Sequence, residues 1–502
     1  MSWMVSKKNA IDSPFSALQA FLVETGATAQ ATDQEKADWI DAYVDQIDSF
    51  VFSSMYSRGG SAPHPPAQMF KLTIYQILKQ HLSPAKWARE VLSDSILQKL
   101  IGNLTPSRTA LYNFRDRVGK IIELIFQRLL TQSIEHEILD PRVGVMDGTS
   151  VRSYGSRHRI VNQKTLNRRR GQLADAIAID IKGEVQAKLP MWMGKTANGR
   201  LSQQRRFDNA NLILTKRIAI NDAKKKDLRH PVENIFISLS DPEAALSRDK
   251  EKVFCPMYSA QLLTNTESLL ILGVELSSHA TDVGTIGPMI DHVEKTLGIK
   301  LNQIYADSAY TSLLDLRACV ERKVEIIAPV QENSFTKSNQ SKKVGKQISR
   351  DQFQYNAEAH CFTCPAGHTM PYTDREVMPR ANGTVIAERF RQSAEKCQAC
   401  PLAKQCLGGG KQRSIRRTIG QEIIDQQKAK MTDEISAASR ALRAQTIERT
   451  NAELKQRIGL RRLGAVTLKR AKNFLVLALF VLNLMTVRRL LIEASKPNLQ
   501  TI

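Results

Sequence analysis

Two short apolar runs each lead into an aspartate, and this pairing constrains the fold more than any other feature. Val143, Val145 and Met146 form a short strand ending at Asp147-Gly148-Thr149. Gln303 to Ala306 forms another, ending at Asp307. Phe254 to Leu263 and Leu269 to Leu276 read as two strands joined by a turn at Asn265-Thr266-Glu267-Ser268, and Val324 to Val330 reads as one more. Gly284 to Leu297 reads as a helix between them. Strands and helices in this order imply an α/β chain with a mixed sheet covered by helices. Polar groups at the strand ends of such a sheet converge on a site.

The sheet region is preceded and followed by helical stretches. Residues 1–139 have apolar side chains at three- and four-residue spacing, in Ala31 to Phe52 and again in Ala67 to Gln80. Ser57 to Pro66 carries two glycines and three prolines and reads as a loop. Ser107 is placed to cap a further helix through Tyr112, Phe114 and Ile121. This part is expected to be a DNA-binding or dimerisation domain, or a plain helical bundle. The chain divides further into a catalytic core beginning at 140–331 with a basic insertion at 152–250, a cysteine-rich stretch at 332–430, and helices at 431–502 that complete the core.

Phe474 to Val487 is apolar except for Asn483 and Thr486. At fourteen residues it is shorter than the roughly 20 a membrane helix needs, so a buried helix and no membrane association are expected. No secretory signal is visible, and a cytoplasmic location is expected.

Charge points to the partner. The chain of 502 residues has a formal net charge of +22. Val151 to His230 alone holds 19 Lys and Arg against 6 Asp and Glu, with runs at Arg168-Arg169-Arg170 and Lys224-Lys225-Lys226. One such run is usually a solvated face. Several beside an acidic constellation suit the phosphate backbone of double-stranded DNA.

The third acid is expected on the helix Ser436 to Ile458. Ile447, Leu454 and Ile458 make its apolar stripe. Glu448 and Lys455 are seven apart and share a face, whereas Glu453 is rotated from Glu448 by about 140°. Glu448 is therefore preferred, with Lys455 either reaching DNA or simply exposed. Arg461 and Arg462 follow as further candidate DNA ligands. Asp147, Asp307 and Glu448 suit two Mg²⁺ (or Mn²⁺) ions, which take oxygen ligands and sit about 3.5–4 Å apart in phosphoryl-transfer sites.

The layout resembles bacterial insertion-sequence transposases of the DDE class, nearest to the insertion-sequence 1182 family. The residues that carry the resemblance are Val145-Met146-Asp147-Gly148-Thr149, Tyr305-Ala306-Asp307-Ser308-Ala309-Tyr310 and Ile447-Glu448-Arg449-Thr450-Asn451-Ala452-Glu453-Leu454-Lys455. Asp241-Pro242-Glu243, Cys255 to Gln261 and Tyr112 to Arg115 add to it. The resemblance implies an RNase H-like core with Asp147, Asp307 and Glu448 as the metal-binding triad, and a helical N-terminal domain that helps bind transposon ends. It also implies strand cleavage followed by strand transfer, at least a homodimer on DNA, and association with the nucleoid. The related signature sets Tyr, Arg, Glu and Lys along the last helix. Glu448 and Lys455 keep its spacing, Arg443 stands one position early, and Ala441 stands where Tyr is expected. A nuclease without strand transfer and a transposase-derived DNA-binding protein without catalysis are the alternatives.

Five of the seven cysteines lie between Cys361 and Cys406. Two C-x₂-C units, Cys361/Cys364 and Cys397/Cys400, are followed by Cys406, a pattern suited to structural Zn²⁺. Four ligands are needed, and Cys364, Cys397, Cys400 and Cys406 are the expected set, with Cys361 or His368 as substitutes. Free reduced thiols are the alternative. Cys255 and Cys319 are expected in the core.

Overall fold

The computed structural model describes residues 13–27, 30–56, 63–186, 188–224, 226–249, 251–278, 282–330, 348–380, 383–408 and 410–495. Parts of the expected loop at 57–66 and of the lysine run at 224–226, and the whole stretch 331–347, lie outside these residues. The chain is mixed α/β and forms two compact units, one of residues 1–281, 292–301 and 444–502, the other of residues 282–291 and 302–443.

The first unit opens with helices α1 (Ser13–Glu24), α2 (Asp33–Val44), α3 (Ser49–Ser53), α4 (Pro66–Leu78), α5 (Pro84–Glu90), α6 (Ser95–Leu100), α7 (Arg108–Val118) and α8 (Ile122–Glu135). Their starts are written locally. Thr32 and Glu35 cap α2 reciprocally, and Ser107 Oγ accepts from Ala110 N at 3.2 Å at the start of α7. Strand β1 (Val143–Arg152) follows, then β2 (Ile160–Asn162) and two long helices, α9 (Gln163–Lys182) and α10 (Ala197–Asp222). The basic insertion is thus a helical hairpin. It has its own apolar seam of Leu166, Leu173, Ile177, Phe207 and Leu214, closed by Ile237.

Strand β3 (Phe236–Ser238) pairs antiparallel with β2 in a two-stranded sheet of its own, and β4 (Ala245–Arg248), β5 (Phe254–Asn265) and β6 (Ile271–Ser277) join β1 in the main sheet of this unit. β5 pairs antiparallel with β1 along one edge, and with β4 and then β6 along the other. Helix α11 (Ile286–Leu297) comes next in the chain.

The second unit holds the parallel pair β7 (Gln303–Tyr305) and β8 (Glu325–Ile327), connected through helix α12 (Leu313–Arg322). It continues with β9 (Gln354–Asn356), β10 (Cys361–Thr363), β11 (Thr369–Arg380), β12 (Gly383–Arg391), the short helices α13 (Ala394–Gln398) and α14 (Ala403–Leu407), and β13 (Ser414–Thr418). These five strands form an antiparallel sheet in the order β13-β12-β11-β10-β9. The cysteine-rich stretch is thus itself a sheet with an apolar core, because Phe353, Phe362, Met370, Phe390 and Ile415 bury one face of it. Helices α15 (Gln421–Lys430) and α16 (Asp433–Arg443) close the unit.

From α16 the chain runs into a π-helical turn, Ala444–Glu448, then α17 (Arg449–Gln456) and α18 (Leu468–Ala494), which return to the first unit. Helix α18 is long and apolar enough to cross a membrane by composition, yet 83% of its most apolar window is buried inside the protein. It packs against α1, α8 and β6, as a core helix does. Its Asn483 is fully buried and makes two hydrogen bonds to the backbone of Ile271, both at 2.9 Å. The polar break in the run therefore serves the end of β6.

Candidate active site

Asp147 does not end its strand. Main-chain pairing continues from Asp147 opposite Leu262 to Arg152 opposite Met257. Val145 and Met146 are buried, whereas Asp147 is half-buried. Residues two apart on a strand share a face, so Asp147 and Thr149 point the same way. Helix α17 lies along that face. Asn451 Nδ2 donates to Asp147 Oδ2 at 3.3 Å, and Lys455 Nζ donates to Thr149 Oγ1 at 3.0 Å. Two residues along a strand advance about 6.8 Å and four along a helix about 6 Å, so the spacings match and both contacts form together. The expected stripe of Ile447, Leu454 and Ile458 is fully buried and flanks these contacts, since Leu454 and Ile458 stand three residues after Asn451 and Lys455 respectively. Glu448 is exposed and stands three residues before Asn451, on the face that meets β1. It is the last residue of the π turn, a feature that recurs at functional sites.

Asp307 is in the second unit, directly after β7. Its Oδ1 accepts from Ala309 N at 2.7 Å, capping a short 3₁₀ turn, and its Oδ2 lies 3.9 Å from Arg443 Nη2.

Sequence reasoning missed the depth of Asp241, although the residue was noted within its Asp-Pro-Glu run. It is fully buried in the first unit. Its carboxylate accepts from Ser153 Oγ, from Tyr258 OH at 2.9 Å and from Thr467 N at 3.1 Å. Burial holds its pKa above the ordinary carboxylate value, against these hydrogen bonds. Asp241 thereby ties the end of β1 to the start of α18.

The basic residues differ in what holds them. Arg168 is exposed on α9. The Arg169 guanidinium lies 5.2 Å from the Trp192 ring centroid, and burial lowers its pKa. Arg170 pairs with Asp208 at 2.7 Å. Arg461 is exposed, while Arg462 donates to the backbone carbonyls of Ser153, Tyr154 and Gly155 and lies over the Tyr154 ring.

Residues 363–488 match a family model described as a transposase DDE domain, and residues 28–117 match one described as a transposase domain (DUF772). The two matches support a DDE transposase. The first spans Glu448, Asn451 and Lys455 together with Cys364 to Cys406; Asp147 and Asp307 precede it. No curated protein and no solved structure matches the chain. DDE transposases act on DNA and generally use divalent metal ions.

Cys364, Cys397, Cys400 and Cys406 line one small cavity of about 30 Å³ together with His368; Cys361 is not among its lining residues. A turn through Gly367 at φ +80° brings Cys364 and His368 together, with Cys364 N donating to His368 O at 2.9 Å. Burial pushes the Cys406 thiol above its ordinary pKa, opposed by Arg413 and reinforced by the other three cysteines of the set. Among the described residues, no group of three or more His, Cys, Asp or Glu side chains is arranged to hold a metal ion as it stands. Cys255 and Cys319 are buried.

Proposed function

We propose that this chain is a transposase of the insertion-sequence 1182 type, with an RNase H-like core in which Asp147, Asp307 and Glu448 serve as the carboxylate triad. The observation that carries this reading is the double contact between α17 and β1, Asn451 with Asp147 and Lys455 with Thr149. It sets the face of Glu448 against the strand of Asp147, within a stretch whose helix matches a transposase DDE domain. The fit of a divalent ion is supported by Asn451 Oδ1, a buried amide oxygen without a hydrogen-bond partner. An oxygen acceptor of this kind suits a hard cation.

The triad carboxylates would hold the ions, Mg²⁺ or Mn²⁺. When bound, these would activate the attacking oxygen and stabilise the leaving one. Lys455 would keep the Thr149 side of the strand positive beside the flanking phosphates. Water attacks the phosphodiester at each element end; the new P–O bond forms as the P–O3′ bond breaks, and the 3′ oxygen takes a proton. That 3′ hydroxyl then attacks target DNA, releasing another 3′ hydroxyl. Arg168, Arg169 and Arg170 on the helical hairpin, with Arg461 and Arg462, would lie along the DNA backbone. Pairing of two ends calls for at least a homodimer. We further propose that Cys364, Cys397, Cys400 and Cys406 hold a structural Zn²⁺, supported by their shared cavity.

The test is cleavage of a labelled duplex carrying the element's terminal repeats, with Mg²⁺ and with EDTA. Wild type is run beside Asp147→Ala and Asp307→Ala. End cleavage that needs the metal and both aspartates is expected, with DNA binding retained in the variants. Binding without cleavage by the folded wild type would favour a non-catalytic DNA-binding protein. Unaltered cleavage by either variant would refute the triad.

A further inference from the structure

The helix face that carries Glu448 holds one more polar group that neither strand nor helix accounts for. Asn451 Nδ2 donates to Asp147 Oδ2, while Asn451 Oδ1 is buried without a partner. A buried polar atom of this kind is rare and points to a water, an ion or a catalytic role. Rotating the amide would not satisfy it. The oxygen would then face a carboxylate oxygen, so Asp147 fixes the amide with its nitrogen inward. The unpartnered atom is an acceptor, and it calls for a donor or a cation. A DNA phosphate is excluded as its partner, since phosphate oxygens are acceptors too. Lys455, one turn further along the same face, already donates to Thr149.

We propose that Asn451 is a fourth member of the divalent-cation site, an inference that rests on the triad reading above. Its Nδ2 holds one Asp147 oxygen in place. Its Oδ1 faces the ion, either directly or through a water of the ion's shell. Mg²⁺ retains several waters, so an amide oxygen can serve in either way. A neutral ligand supplies an oxygen without adding a fourth negative charge to three carboxylates.

The experiment uses the full-length protein without DNA and titrates Mn²⁺ alone, reading free Mn²⁺ by electron paramagnetic resonance. Wild type is compared with Asn451→Ala, Asn451→Asp and Asp147→Ala, and all are also assayed for the Mg²⁺ concentration that half-saturates end cleavage. Groups that orient or complete a metal shell typically change metal affinity about 10- to 100-fold. Asn451→Ala is expected to weaken Mn²⁺ binding at least about 10-fold and to raise the Mg²⁺ requirement in step, with end-DNA affinity in EDTA unchanged. Asn451→Asp keeps the oxygen and loses the donor to Asp147; it is expected to bind Mn²⁺ at least as tightly as wild type. If both variants lose affinity alike, Asn451 only orients Asp147 and the proposal fails. If neither loses affinity, it fails outright. Asn451→Asp is isosteric and decides the matter alone if alanine disturbs the helix, since weaker Mn²⁺ binding by it overturns the proposal. Asp147→Ala separates the two readings: wild-type Mn²⁺ binding and cleavage by that variant would remove the triad itself, whereas loss there with no change at Asn451 would remove only this inference.

Discussion

Replacing Asn483 by leucine would make the C-terminal helix more apolar and the protein less stable. The side chain is fully buried, and so is Ile271, whose N–H and C=O it satisfies at 2.9 Å each. Leucine has the same branching, a larger volume and no polar atom, so both backbone groups would be left buried without partners. Each such group costs about 1–3 kcal/mol. The gain from the added apolar surface offsets part of this, leaving a net loss of about 2–4 kcal/mol. Urea unfolding followed by tryptophan fluorescence measures it selectively. Trp3, Trp39, Trp87 and Trp192 are the only tryptophans, and none falls in residues 282–291 or 302–443. With a slope of about 3 kcal/mol/M, the midpoint should fall by about 1 M. Thr486→Val is the control. Its hydroxyl donates only to the Leu482 carbonyl one turn back, so its loss should be near neutral. An Asn483→Leu midpoint equal to wild type would refute the reasoning, because it would mean that β6 does not depend on the helix for its first backbone pair.

Asp94 caps α6 and accepts from Lys79 Nζ at 2.9 Å; burial raises its pKa, but the Leu97 N–H and Lys79 outweigh that and hold it below the ordinary value. A lowered folded-state pKa gives stability that is present above the unfolded value, about 3.9, and is lost as pH falls through the folded one. Asp94→Asn should therefore cost about 1–2 kcal/mol at pH 7 in urea unfolding, and the gap to wild type should close below about pH 4; a gap independent of pH would be contrary evidence. Metal analysis of the purified chain should find one zinc, lost in the Cys397→Ser, Cys400→Ser double variant, and undiminished zinc in that variant would exclude the proposed set. Arg168→Ala should reduce the dependence of log DNA affinity on log salt by about 0.9, the value of one phosphate contact. An unchanged slope would remove Arg168 from the interface.

The helix carrying Glu448 was legible because a period of 3.6 residues picks out Ile447, Leu454 and Ile458 as its buried stripe and sets Glu448 and Lys455 on one side. The true length of β1 was not. Apolar residues stop at Met146, and the strand is carried onward by main-chain pairing with β5, which the side chains Gly148, Thr149 and Ser150 do not announce. The sheet between Phe353 and Ile415 was hidden for a different reason. Its core is a handful of widely spaced side chains, and the β11–β12 ribbon is dressed with cross-strand pairs such as Arg375–Glu388 and Arg389–Glu376. Charged pairs of this kind stabilise a ribbon while removing the alternation by which strands are read. Asn451 stood out only as one position of the run around Glu448, since an asparagine on a polar helix face is unremarkable until its amide oxygen is seen to be buried.

The spacing of Arg443 to Glu448 was the clearest departure from the related signature, five residues where four are expected. The backbone supplies an explanation. Ala444–Glu448 is a π turn, whose hydrogen bonds close from i to i+5, so five residues complete the turn that four complete in an α-helix. The extra residue is absorbed, and the helix on either side keeps the phase it would have with one residue fewer. Deleting Gln445, which is exposed, should then convert the turn to regular α-helix with both ends still in phase. The contacts of Arg443 with Asp307, and of Asn451 and Lys455 with β1, should each survive. Inserting an alanine after Gln445 should instead rotate α17 by about 100° and strip Asn451 and Lys455 from the strand. Fluorescence-monitored unfolding together with end cleavage distinguishes the two. A deletion variant as damaged as the insertion variant would show that the π turn is needed for itself and is not the accommodation of a single added residue.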